Sequence, residues 1–419
     1  MDINFNSEKV VKDYLISPRW EGIKRQYSDK DVQRLRPAIK ITNSISEHCS
    51  NKLWDLLKRK ETWISGLGAA TAQQALQMFN LDYEIIYVSG WQIAAESNVG
   101  NNTYPDLSLY PSNSTPNFVT KINNTLIRKI TETKGTDLPP IIADGESGFG
   151  GIYNVYDLTS QFIKAGTAGI HFEDQLASEK KCGHVGGKVV IPTHEYIKKL
   201  NASRLSTDVA GSPVLIIART DALNAKLITS DFDDRDKEFI SKERTSDGYF
   251  LIKNNEGLAI SKALAYSEYA DVIWCETNTP DLGFAKEFAD EIKNHFPKKI
   301  LAYNCSPSFN WKKHLSDDEI ASFQQEIAKM GYKFQFITLA GFHTQNIAIF
   351  ELAEKYRKEG MAAYSRIQQQ EFAREKDGYT SVKHQREVGT SYFDAVSNTI
   401  SSGQSSTTAM AGSTESEQF

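Results

Sequence analysis

From about Tyr83 onward, short apolar and β-branched runs recur along the chain, and each ends abruptly in polar or glycine-containing residues. The runs are "EIIYVSGW" (Glu84–Trp91), "PPIIADGE" (Pro139–Glu146), "AGIHFEDQ" (Ala168–Gln175) and "VLIIARTD" (Val214–Asp221), then "DVIWCET" (Asp271–Thr277), "KILAYNCS" (Lys299–Ser306) and "KFQFITLAG" (Lys333–Gly341). Amphipathic stretches such as "DLTSQFIKAG" and "GFAKEFADEIKNHF" lie between them. Strand, helix, strand in this order predicts parallel pairing through right-handed crossovers. Seven such strands suit an α/β fold, a (β/α)8 barrel of the TIM type, with one strand not located by pattern; an open doubly wound sheet is the competitor. Polar groups at the C-terminal end of every run favour the barrel, because its catalytic rim is built there.

The flanks read differently. Residues 1–62 are mostly helical in pattern: "SDKDVQRLRP" opens with an N-cap at Ser28, and "SISEHCSNKLWDLLKRK" carries apolar residues at helical spacing. This segment is expected to be an N-terminal helical extension to a catalytic barrel over 63–350. Helical pattern returns over 351–400, including "MAAYSRIQQQEFAREKD". The last segment, 401–419, is rich in Ser, Thr and Gly, which on composition alone reads as a disordered tail. A lid that orders over a ligand is the alternative.

Composition narrows the class of function. The 419 residues are 40% hydrophobic and 24% charged, with a net charge of −5, so nothing electrostatic points to nucleic acid or an anionic membrane as the main partner. Four scattered cysteines, Cys49, Cys182, Cys275 and Cys305, are too few and too widely spaced for a disulfide framework or a zinc knuckle, which suits a reducing compartment. The polar, acidic start "MDINFNSEKVVKDYL" reads as neither secretory signal nor transit peptide, and no apolar run has membrane-spanning length. A cytoplasmic location is expected.

Carboxylates gather at the run ends. Asp144 and Glu146 sit in "IIADGESGFGG", Glu173 ends "HFE", and Asp106 lies in "YPDLSLYP". In a barrel these loops converge on one mouth, and several oxygen ligands around one point suit Mg²⁺ or Mn²⁺. Helix capping is the plainer alternative for any one of them. The stretch "SEKKCGHVGGKVVIPT" (Ser178–Thr193) sets Cys182 beside Lys180, Lys181 and His184, and that positive charge is expected to lower the thiol pKa and make it a proton-transfer group. A surface thiol in a basic loop is the alternative. Arg219 ends a run and can fork onto a carboxylate, or pair with an acid of the barrel. "NCSPSFNW" offers Asn304, Ser306 and Ser308 on a proline-stiffened loop, which a simple turn would also explain, and Thr338 ends another run. Together these groups outline a lyase site for a small polycarboxylate.

"KKCGH" followed by "GGK" resembles the signature of isocitrate lyases in the phosphoenolpyruvate mutase/isocitrate lyase superfamily. The resemblance runs from about Trp63 to the C-terminus through "SGWQIAAESN", "TYPDLSLYPSNSTP", "IIADGESGFGG", "IARTDA", "ITSDFDDRD", "ITLAGFH", "KHQREVGTSYFD" and "STTAMAGSTESEQF". It implies an enzyme, a carbon–carbon lyase, that cleaves isocitrate reversibly to glyoxylate and succinate with Mg²⁺ (Mn²⁺ possible). It further implies a homotetramer with helices swapped between subunits, and a C-terminal segment that closes over the site.

Carried onto this sequence, the resemblance has Ser89, Gly90 and Trp91 bind the glyoxylate half. Asp144 ligates the metal, with Asp106, Glu146 and Glu173 in or next to its shell. Cys182 protonates the succinate carbanion; Gly183, His184 and Arg219 contact substrate carboxylates; Asn304, Ser306, Ser308 and Thr338 hold the succinate half. Two departures border the metal set: Ser147 stands where alanine is expected, and Leu107 where a polar residue is usual. The chain lacks the long insertion of eukaryotic glyoxysomal members and ends in "EQF" rather than a peroxisomal tripeptide, which implies the short bacterial form. A 2-methylisocitrate lyase is the nearest alternative, although Phe336 and Thr338 resemble the isocitrate-specific form. A non-catalytic dicarboxylate-binding barrel is a more distant one.

Overall fold

The computed structural model describes residues 5–59, 62–135 and 137–418. Twelve strands occur among them: β1 (Ile64–Leu67), β2 (Ile86–Val88), β3 (Ile141–Asp144), β4 (Gly169–Glu173), β5 (Val189–Val190), β6 (Leu215–Thr220), β7 (Leu227–Ile228), β8 (Ile240–Arg244), β9 (Phe250–Ile252), β10 (Val272–Cys275), β11 (Ile300–Asn304) and β12 (Tyr332–Ile337). Eight form one parallel sheet in the order β1-β12-β11-β10-β6-β4-β3-β2. A parallel bridge between Gly68 and Tyr87 joins its two ends, with the Ala69 N–H donating to the Tyr87 carbonyl at 3.0 Å, so the sheet closes into a barrel. The doubly wound competitor is thereby excluded.

The seven strands read from the sequence are all present, because parallel strands covered on both sides must be apolar throughout. β2, β3, β4, β6 and β10 are buried at every position. The eighth, β1, escaped detection for a physical reason. "ISGL" is short and carries Ser65 and Gly66, and a Cβ at Gly66 would stand 3.1 Å from Ile85 and 3.4 Å from Phe334 and Phe336. Close approach of neighbours demands glycine there, and glycine removes the β-branched signature.

A small four-stranded sheet, β5-β7-β9-β8, follows the thiol loop and was not anticipated. Its strands are two to five residues long, and they enclose a core of Val190, Ala225, Ile228, Ile240 and Phe250.

The N-terminal segment is helical, as its pattern implies. Ser28 caps the helix Asp29–Leu35 and exchanges hydrogen bonds with Asp31 in a capping box. Helix Ser44–Leu57 buries Cys49, Leu53, Leu56 and Leu57, and Ser46 donates to the Thr167 carbonyl at 2.8 Å. Farther upstream, Arg19 reaches Asp271, just ahead of β10, at 2.8 Å, and Arg204 meets the other oxygen of Asp271 at 2.5 Å.

The chain divides into two compact units. The first comprises Met1–Ala70, Glu84–Thr120 and Pro140–Ala340, and holds all twelve strands. The second comprises Thr71–Tyr83, Lys121–Pro139 and Gly341–Phe419. Helix Ala340–Glu359 runs through residue 350, where the sequence suggested a boundary. The C-terminal segment is ordered by two carboxylates. Asp394 accepts from the N–H groups of Ala409 (2.7 Å) and Met410 (2.8 Å), and the buried Glu415 accepts from those of Gln385 (2.5 Å) and Arg386 (3.2 Å).

Candidate active site

The carboxylates come together at the C-terminal ends of adjacent strands. Asp144 ends β3, Glu146 follows two residues later, and Glu173 ends β4. Glu146 has a left-handed φ of 54°, an uncommon conformation for a side-chain-bearing residue, and its N–H donates to Asp144 Oδ1 at 2.8 Å. Tyr110 donates to Glu146 Oε1 at 2.5 Å and Ser108 to Oε2 at 3.2 Å. The N–H of Gly90, beyond β2, donates to Asp144 Oδ2 at 3.0 Å. A Cβ at Gly90 would lie 2.5 Å from Glu146 Oε1, so only glycine brings this backbone so near the acids.

The buried ammonium of Lys180 stands among these groups. It pairs with Asp106 and Glu146, and lies 3.9 Å from Glu173. Burial pushes the Glu146 carboxyl up to about 8, with Asp106 adding to the shift and Lys180 opposing it. Burial also raises Glu173 well above the usual range. Asp144 is different: burial opposes its charge, yet His171, Lys180 and Arg219 together hold it below the usual carboxylate range.

Among the described residues, no three His, Cys, Asp or Glu side chains are spaced to hold a metal ion as they stand. The Lys180 ammonium sits within this acid set. The donor chemistry nevertheless fits a hard divalent ion: four carboxylates, no soft ligand, and an ammonium already stationed where positive charge is needed.

Cys182 lies on the loop after β4, and here the structure corrects the expected electrostatics. Lys180 faces the acids, and Lys181 turns to Glu179 at 3.4 Å, so the pull of Lys180 and Arg219 toward a thiolate is outweighed by burial. Burial pushes the thiol up to about 12, and Asp106 adds to the rise. The burial of Cys182 thus favours its protonated form. Cys49, Cys275 and Cys305 are buried.

Arg219, near the end of β6, is fixed before any substrate arrives. Its Nε and one terminal nitrogen donate to Asp221 at 2.9 and 3.0 Å, its other terminal nitrogen lies 3.2 Å from Glu173, and the guanidinium sits 4.6 Å over the Trp274 ring. A Cβ at Gly183 would come within 2.7 Å of that guanidinium. His184 Nε2 is 2.8 Å from Ser306 Oγ and 3.0 Å from Glu276 Oε1. Asn304 donates to the same Glu276 oxygen at 3.1 Å, and Ser308 N–H donates to Ser306 Oγ at 3.0 Å.

The remaining expected residues take these places. Ser89 starts a helical turn, accepting from the Gln92 N–H at 3.4 Å, and Trp91 follows half-buried. Thr338 follows β12 beside Gly68, where a Cβ would overlap the Thr338 carbonyl. Phe336 packs inside the barrel, 4.6 Å from the Tyr87 ring and 5.0 Å from Trp274. Of the two departures, Ser147 offers its carbonyl to buried Lys199 at 2.9 Å, while the Leu107 N–H donates to the Pro105 carbonyl at 2.8 Å.

Three participants were missed. Glu276 and Asp221 are the polar residues that follow β10 and β6, the same place that drew attention to Asp144 and Glu173, so the pattern applied evenly would have found them. Lys188 is the third, buried and bonded to both Gly183 and Asp221.

Comparison with known proteins agrees with this geometry. Solved structures of similar fold include oxaloacetate acetylhydrolase (TM-score 0.61, 23% identity, 86% of this chain and 99% of that one) and 2,3-dimethylmalate lyase (TM-score 0.60, 19% identity, 87% and 96%). Curated relatives include the isocitrate lyase of Halalkalibacterium halodurans, 52% identical over 421 residues, and isocitrate lyase 1 of Mycobacterium tuberculosis, 50% identical over 421; each comparison covers 99% of this chain and 98% of the relative. The isocitrate lyase of Escherichia coli is 52% identical over 427 residues, 98% of both chains. The isocitrate lyase family model matches residues 7–243 and 241–419. With a carboxylate cluster, a thiol loop and an anchored arginine on one barrel rim, and with such likeness over nearly its whole length, the chain belongs to the isocitrate lyase family.

Proposed function

We propose that this protein is an isocitrate lyase: a carbon–carbon lyase that cleaves isocitrate reversibly to glyoxylate and succinate. The observation that carries the reading is the meeting of the Cys182 loop, the anchored Arg219 and the buried acid set around one barrel mouth.

Asp144, Asp106, Glu146 and Glu173 would hold a divalent cation, Mg²⁺ by the hardness of the oxygen set. Bound there, the cation supplies Lewis-acid stabilisation of charge on the glyoxylate oxygen. Ser89, Gly90 and Trp91 receive the glyoxylate half. Arg219, His184 and Gly183 take substrate carboxylates, while Asn304, Ser306, Ser308 and Thr338 hold the succinate half. In cleavage the substrate hydroxyl gives its proton to a carboxylate of the acid set, and the bond between the hydroxyl-bearing carbon and its neighbour breaks. The electron pair stays on the succinate carbon, which takes the Cys182 proton. The reverse reaction retraces the path, with the sulfur as base. Burial that keeps the thiol protonated thus prepares the donor.

The same reading makes the enzyme a homotetramer. Supporting it are large apolar side chains exposed on the single chain along Ala340–Glu359 and Met361–Arg374: Ile349 at 57%, Phe350 at 65% and Met361 at 63%. Residues 401–418 would act as a lid. No helix among the described residues is long and apolar enough to cross a membrane; a cytoplasmic location follows as part of the proposal.

The test is glyoxylate release, measured with and without Mg²⁺, for wild type and Cys182→Ser. Mg²⁺-dependent release that collapses in the variant is expected. Undiminished activity in Cys182→Ser would refute the proton-donor role, and a large preference for 2-methylisocitrate would reassign the substrate.

A further inference from the structure

The loop that carries Cys182 has an exposed tip at Val185–Gly187, yet Lys188 just beyond it is 1% exposed. Gly187, at φ 77°, turns the chain back on itself, and the Lys188 side chain then runs beneath the loop. Its ammonium donates to the Gly183 carbonyl at 2.7 Å and to Asp221 Oδ1 at 3.1 Å. Asp221 is in turn fixed: its N–H donates to Asp174 Oδ1 at 2.9 Å, and its carboxylate carries both hydrogen bonds from Arg219.

One buried ammonium therefore spans two parts of the site. Its first partner is the carbonyl of the residue next to Cys182. Its second is the carboxylate that orients Arg219. Burying a lysine is costly without such partners, and here one of the acceptors it takes is the backbone of the thiol loop itself. The loop's other ties lie on either side: Gln175 exchanges two hydrogen bonds with the backbone of Lys181, at 2.9 and 3.0 Å, and His184 meets Ser306 and Glu276. Lys188 supplies the tie between them, on the residue after Cys182.

We propose that Lys188 is a positioning residue that latches the thiol loop onto the barrel rim and holds Cys182 in register with Arg219. The inference rests on the reading of Cys182 as proton donor, but the latch itself can be tested without that chemistry.

The experiment compares wild type, Lys188→Met and Lys188→Arg in the full-length protein by three measurements. These are the rate of iodoacetamide alkylation mapped to Cys182, steady-state cleavage of isocitrate, and Tm. In Lys188→Met, Cys182 is expected to alkylate at least tenfold faster, and kcat to fall about 10²-fold with KM changed less than threefold. Lys188→Arg, which keeps charge and donors, should restore slow alkylation and most of kcat. A general loss of packing would lower Tm without rescue by arginine, and that result overturns the proposal. So does a Lys188→Met protein whose alkylation and kcat stay within twofold of wild type. Should Lys188→Met not fold, Lys188→Gln carries the same comparison. An active Cys182→Ser enzyme would remove the proton-donor reading while leaving the alkylation difference as evidence for the latch.

Discussion

His184 Nε2 lies 3.0 Å from Glu276 Oε1, which ties the residue two places beyond Cys182 to the end of β10. The same carboxylate accepts from Asn304, and its other oxygen faces Arg219 at 3.8 Å. Burial works against its charge, but Arg219 and the His184 hydrogen bond hold Glu276 below the usual carboxylate range. It stays ionised and organises three groups that the proposal assigns to substrate.

Replacing Glu276 with glutamine keeps the shape and removes the charge. Glu276→Gln should lower kcat/KM by roughly 10²-fold, about 2.7 kcal/mol of transition-state stabilisation. Steady-state glyoxylate release checks it, alongside a Tm within a few degrees of wild type.

Gly90→Ala tests the contact between backbone and acids. The new Cβ would need to fit within 2.5 Å of Glu146 and 2.8 Å of Asp144, so both carboxylates must move. A shift of about 1 Å at a reacting centre costs on the order of 10²-fold in rate. Activity should fall by that much while circular dichroism is unchanged.

Lys180→Met removes the ammonium from among Asp106, Glu146 and Glu173. Unpairing buried charge costs about 3–5 kcal/mol, so the variant should melt well below wild type in chelator. Mg²⁺ should then raise its Tm by more than it raises that of wild type, because the ion finds the acids uncompensated. Equal shifts in the two proteins would show that lysine and metal do not compete for the same oxygens.

Asp271 links stability to pH. It accepts from Arg19 at 2.8 Å, Arg204 at 2.5 Å and the Ile216 N–H at 2.8 Å. Burial opposes its charge, but the two arginines and the amide hold its pKa well below the usual range. A carboxyl with a depressed folded pKa contributes stability that is complete above its unfolded pKa of about 3.9 and is lost as pH falls toward the folded value. Asp271→Asn should therefore cost about 3–5 kcal/mol at pH 7. Urea melts should show that gap narrowing below about pH 4.

The barrel was legible because strands buried on both sides write continuous apolar runs, and because Asp144, Glu173 and Arg219 interrupt those runs at the rim. β1 was not legible, since the close approach that selects Gly66 erases its pattern. The four short strands after the thiol loop, β5 and β7–β9, are too brief for any periodicity to emerge. The gathering of the acids was legible, but the place of Lys180 among them was not. Lys180 is adjacent in sequence to Lys181, yet it points into the acid set while Lys181 points to Glu179, and only the fold of the loop decides between the two. The same geometry reversed the expected direction for Cys182, whose burial outweighs its cationic neighbours.

The ring of eight strands is not equally joined all the way round. Seven adjacent pairs share three to five registered residues each, whereas β1 and β2 meet through the single Gly68–Tyr87 bridge. A closed sheet parts most cheaply where it has the fewest rungs, so breathing of this cylinder concentrates at that seam. The seam lies next to Ser89, Gly90 and Trp91, so under the proposed assignment the smaller product would meet an elastic wall while the sulfur and the guanidinium stay on the stiff side of the ring.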